Sequence, residues 1–129
     1  MIVLDTSVLI DSLTGPRRSA APLRSLIDVG ERISVPSLVL YEWFRGPRLK
    51  EELAAQEALF PSASALPFGV REALMSARIY RSIKRPRGRE LDIAIAASAL
   101  VQEAPLWTLN YADFKDIPGL RLWKPGSHA

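Results

Sequence analysis

Cysteine is absent from the 129-residue chain, and histidine occurs once, at His128. Without thiols there are no disulfides, no thiolate metal sites and no cysteine nucleophile. A single histidine in a Pro-Gly-Ser-rich tail, expected to be disordered, leaves no basis for imidazole catalysis or a zinc centre. Long apolar runs are missing as well. None approaches the roughly 20 residues of a membrane span, and Asp5 interrupts what would have to be the apolar region of a signal peptide. A soluble, cytoplasmic protein with no membrane attachment is expected. The length suits one domain, read as residues 1–124 followed by a short tail at 125–129, and 48% hydrophobic with 24% charged residues is ordinary for a globular core. Net charge is only +3, but the isoelectric point near 9.6 and the clustering of the basic residues point to an anionic partner.

The opening stretch MIVLDTS carries the most information. Met1–Leu4 lacks the alternation of a half-solvated strand and reads as a strand buried on both faces, followed by a helix over Thr6–Leu13. Asp5 sits between them, where ligands bind in α/β sheets. Taken alone, it is equally well a helix cap or a catalytic acid. Further along, apolar runs alternate with helical spacing: a helix at Arg18–Val29, a strand at Arg32–Val35, and a helix capped by Ser37 and running to Arg45. Another helix spans Arg48–Phe60, and Ala63–Leu66 is a candidate strand. A helix at Gly69–Lys84, one at Arg89–Ala104, a strand at Leu106–Leu109, a helical turn at Asn110–Lys115 and a final strand at Leu120–Trp123 complete the pattern. The fold class is therefore α/β, with a central sheet of four or five strands flanked by helices.

Four acids stand where a charge is unwelcome. Asp5 follows the first strand, and Glu42 is surrounded by Leu38, Val39, Leu40, Trp43 and Phe44. Asp92 shares a helical face with Ile95, Ala96 and Ala99, and Asp113 follows the strand at Leu106–Leu109. An unpaired ionised carboxylate in such a place costs several kcal/mol. Pairing with Lys or Arg, protonation, or a shared divalent cation would each relieve that cost. If the four converge, their repulsion raises their pKa values until a cation neutralises them, and all-oxygen ligands select Mg²⁺ or Mn²⁺.

Four segments carry a family resemblance: MIVLDTSVLID, SLVLYEWFRG, LDIAIAASAL and LWTLNYADF. In this order and at these intervals they resemble the PIN domain, in particular the VapC-type toxin ribonucleases of type II toxin-antitoxin pairs. The resemblance covers nearly the whole chain and implies a PIN-like three-layer fold with a parallel sheet. It also implies Asp5, Glu42, Asp92 and Asp113 as the metal-binding and catalytic acids. Ser7 and Asn110 would support them, with Thr6 and Thr108 one layer further out. The implied activity is Mg²⁺- or Mn²⁺-dependent hydrolysis of RNA phosphodiesters by an activated water. The implied partners are an RNA substrate, a small cognate antitoxin and a second copy of the chain in a homodimer.

The basic run Arg78, Arg81, Lys84, Arg85, Arg87 and Arg89 leads into the helix bearing Asp92 and suits phosphate contacts, though a solvated helix end has the same composition. Arg45, three residues after Glu42, suits either the substrate or a neighbouring carboxylate. Tyr111 is expected to pack under its loop, and Trp43, Phe44 and Leu49 to belong to the core or a partner surface. Other hypotheses fare worse. A haloacid-dehalogenase-like phosphatase wants a second Asp where Ser7 stands, and a receiver module wants paired acids before its functional aspartate. A PIN nuclease of RNA processing and a non-catalytic PIN-like interaction module are the remaining alternatives.

Overall fold

Ile2–Leu4 forms β1, and all three side chains are buried, as their unbroken apolar run requires. A computed structural model describes residues 1–126; His128 lies outside the described residues, as does the expected tail beyond Gly126. After β1 come α1 (Thr6–Leu13), α2 (Ala20–Asp28), β2 (Ile33–Ser34), α3 (Ser37–Arg45) and α4 (Lys50–Leu59). A 3-10 turn at Ser62–Ser64, α5 (Val70–Ser82), α6 (Glu90–Val101), β3 (Leu106–Trp107), a 3-10 turn at Tyr111–Asp113 and β4 (Leu122–Trp123) follow.

The sheet is four-stranded in the order β2-β1-β3-β4, and every pair is parallel. β1 is central, with Ile2 opposite Ile33 on one side and Leu4 opposite Trp107 on the other. One further bond beyond the strand end, from Asp5 N to Trp107 O at 2.9 Å, draws Asp5 and Thr108 side by side at the carboxyl edge.

Helices cover both faces. α6 buries Ile93, Ile95, Ala96, Ala97, Ser98 and Ala99, which explains why its sequence is apolar almost all round. Its alanines allow close approach to the sheet and to neighbouring helices, and the buried Trp107 and Trp123 rings meet edge to face with centroids 4.6 Å apart. Among the described residues no helix is long and apolar enough to cross a membrane.

Two local expectations are corrected. Ala63–Leu66 is not a strand. The chain there makes a 3-10 turn and a single parallel bridge between Pro36 and Leu66, because Pro61 and Pro67 bracket a short Ala/Ser segment with little strand preference. Nor does Ser37 cap α3. Pro36 holds the cap position in extended conformation, and Ser37 is the first helical residue.

Candidate active site

The carboxyl edge of β1 and β3 holds the first acid. Asp5 is buried and occupies the position before α1, yet its side chain makes no capping hydrogen bond. Instead Asp5 Oδ2 accepts from Ser7 Oγ at 2.8 Å and from Thr108 Oγ1 at 2.7 Å. The two hydroxyls are themselves held, because Leu109 N donates to Ser7 Oγ and Asn110 N donates to Thr108 Oγ1, each at 3.0 Å. Asp5 is thus oriented by α1 and by the segment after β3 together, while Oδ1 makes no hydrogen bond among the described residues.

Glu42 projects from α3. Its Oε1 accepts from Thr6 Oγ1 at 2.5 Å, and its Oε2 pairs with Arg45 at 3.2 Å. Arg45 also lies over the Tyr41 ring, 5.2 Å from its centroid. Asp113 ends the exposed 3-10 turn after β3, and its side chain makes no hydrogen bond among the described residues. Asn110 is exposed one turn earlier.

Asp92, in the first turn of α6, reports how close these acids stand. Burial pushes its carboxyl up from the usual range to about 6, and the negative charges of Asp5, Asp113 and Glu42 push it the same way, while Arg89 opposes them. The four acids therefore form one electrostatic cluster at the carboxyl end of the sheet. It is an open one: among the described residues no three His, Cys, Asp or Glu side chains close on a single point. Glu42 is drawn aside by Thr6 and Arg45, and Asp5 has one oxygen engaged by hydroxyls.

The basic residues divide. Arg85 and Arg87 are exposed, and their side chains make no hydrogen bond or ion pair among the described residues. Arg89 does not share that freedom, since its guanidinium grips Asp116 through both nitrogens at 2.6 and 2.9 Å. Nothing in the local spacing marks Asp116, whose partner is 27 residues away. Tyr111 is also placed differently from expectation: it is 45% exposed, with Lys124 Nζ 4.0 Å over its ring, because the loop has no apolar cover for it.

An all-parallel α/β sheet with an acidic cluster beyond the carboxyl ends of its central strands has its acids in the crevice where ligands bind in such folds. The PIN domain family model matches residues 2–120, and the chain belongs to that family. It is 36% identical over 124 residues to Ribonuclease VapC19 of Mycobacterium tuberculosis, covering 94% of this chain and 98% of the relative. Two solved structures share the fold. The DNA-bound VapBC of Salmonella typhimurium has a TM-score of 0.75 at 21% identity, covering 95% of this chain and 96% of that one. A toxin-antitoxin complex from Klebsiella pneumoniae has a TM-score of 0.71 at 23% identity, covering 97% and 98%.

The raised Asp92 carboxyl has a consequence for stability. A folded-state pKa near 6 against 3.8 means that the native protein binds the extra proton, so stability falls as pH rises through that window and the penalty is complete above it. Asp92→Asn removes the penalty. In EDTA the variant should match the wild type near pH 4 and exceed it by on the order of 1 kcal/mol at pH 7.5, the value being reduced for partial solvent screening. Urea unfolding at the two pH values checks this, and an Asn variant no more stable at pH 7.5 contradicts it.

Proposed function

We propose that this protein is a divalent-metal-dependent endoribonuclease and the toxin of a type II toxin-antitoxin pair, built as one nuclease domain over residues 1–124. The observation that carries the reading is the under-neutralised cluster of Asp5, Glu42, Asp92 and Asp113, reported by the elevated Asp92 carboxyl. Membership of the PIN family and the likeness to a VapC ribonuclease support RNA as the substrate.

The donor set fits a hard cation. The charged ligands at the site are all carboxylates, with neither thiolate nor imidazole among them, and Mg²⁺ keeps several of its waters and needs only one or two carboxylates, so an open cluster suits it better than a closed cage. Asp5 and Asp92 are the direct holders, because β1 and α6 fix them. Glu42 and Asp113 act directly or through water. A divalent cation bound there supplies an acidified water and neutralises charge on the phosphate. The chain's own part is orientation: Ser7 and Thr108 leave Asp5 Oδ1 free to face the site, and Thr6 with Arg45 sets the carboxylate of Glu42. Arg85 and Arg87 contact the RNA backbone in this reading, which their exposure in the loop before Asp92 supports.

The partner reading has its own support. Leu13, Leu23, Ile27 and Leu59 line a groove between α1, α2 and α4, with Arg17 and Arg24 on its rim, an amphipathic trough suited to a segment of the antitoxin. On α5, Val70 and Leu74 are 76% and 67% exposed, an apolar surface that a partner chain could cover.

Cleavage of a synthetic RNA by the purified protein should require Mg²⁺ or Mn²⁺ and stop in EDTA. Asp5→Asn and Asp92→Asn should each reduce the rate by on the order of 10²-fold or more with the circular dichroism spectrum unchanged. Wild-type rates in either variant contradict the assignment. Removing Arg85 and Arg87 together should lower the slope of log binding constant against log salt by about 1.4 for single-stranded RNA, roughly 0.7 per contact. An unchanged slope makes them merely solvated.

A further inference from the structure

We infer that Arg89, held by Asp116, is a positioning residue that fixes the Asp113 turn against the start of α6 and so tunes how tightly the acidic site holds its divalent cation. The inference rests on the nuclease reading above and assigns a device that the four acids do not themselves contain.

The geometry is that of a fork joining three segments. Arg89 occupies the cap position of α6, three residues before Asp92. Its Nη1 donates to Asp116 Oδ2 at 2.9 Å and to the Arg85 carbonyl at 3.2 Å. Its Nη2 donates to Asp116 Oδ1 at 2.6 Å and to the Asp113 carbonyl at 2.8 Å. The Arg89 side chain is 22% exposed and that of Asp116 45%, so the strength of the clamp lies in its two-pronged geometry and not in burial. One guanidinium thereby ties the main chain of the fourth acid, the base of the Arg85–Gly88 loop and the helix of Asp92.

Asp113 depends on this tie. It sits on a three-residue 3-10 turn, the least robust kind of helical segment, anchored behind by the buried Phe114. No side-chain hydrogen bond among the described residues orients its carboxylate. The turn's own backbone bonds and Phe114 hold it to the core, and the main-chain carbonyl that Arg89 holds ties it to the start of α6. Lysine could keep the charge but could not serve both Asp116 oxygens and two carbonyls.

The test measures Mn²⁺ binding to the whole protein by isothermal titration, with RNA cleavage and RNA binding alongside. Arg89→Lys should weaken Mn²⁺ binding about tenfold, and Asp116→Asn, which preserves shape and one acceptor, about threefold. The double variant should be no worse than the worse single, since both changes open one clamp. Saturating Mn²⁺ should restore most of kcat in each variant with KM for RNA unchanged, which a general loss of folding would not do. Arg89→Lys binding Mn²⁺ as the wild type does overturns the inference alone. So does a reduced salt slope for RNA binding at unchanged Mn²⁺ affinity, because Arg89 would then be a phosphate contact. A wild-type protein that takes up no Mn²⁺ contradicts the nuclease reading itself and the inference with it.

Discussion

The pair of hydroxyls that Ser7 and Thr108 direct onto one oxygen of Asp5 is the contact around which the site is arranged. It exists because β1 and β3 are parallel neighbours that end together, so the residues following them, Asp5 and Thr108, emerge side by side. A buried carboxylate with no partner would cost several kcal/mol. Here the hydroxyls satisfy one oxygen without neutralising the charge, and they leave the other available. The fold thus maintains a negative group at the sheet edge where an arginine in the same place would have quenched it.

The rest of the site follows the same economy of compensation. Arg45 pairs with Glu42 from α3, and Arg89 sits near Asp92 and Asp113 but commits its guanidinium to Asp116 and to backbone carbonyls. Each basic group steadies an acid's position more than it cancels the cluster. The elevated Asp92 carboxyl is what remains after those compensations. A chain selected only for stability would have placed an apolar residue at that turn of α6. Keeping Asp92 there makes sense for a site completed by a cation.

Much of this was legible in the sequence. The unbroken apolar run before Asp5 announced a buried strand, and the all-round apolar pattern of α6 announced a helix between layers, leaving Asp92 conspicuous. What escaped was decided by contacts between distant residues. That the Asp5 side chain does not cap α1 does not follow from MIVLDTS, since the Thr108 hydroxyl that engages it is 103 positions away. Arg89 read as one more member of a basic run, because nothing local marks Asp116 as its partner. The Ala63–Leu66 segment looked strand-like in composition only, and its flanking prolines reduced it to one bridge. Phe44 and Leu49 lie on the surface and Trp43 in the core, a division that the sequence leaves open.

The central claim is that the four acids form a divalent-cation site. Crystals grown with Mn²⁺, and measured for anomalous scattering, test it most directly. A single strong peak, or a close pair, within coordination distance of Asp5 and Asp92 is the predicted result. Mn²⁺ absent from that cluster at millimolar concentration, or bound only elsewhere on the surface, would contradict it.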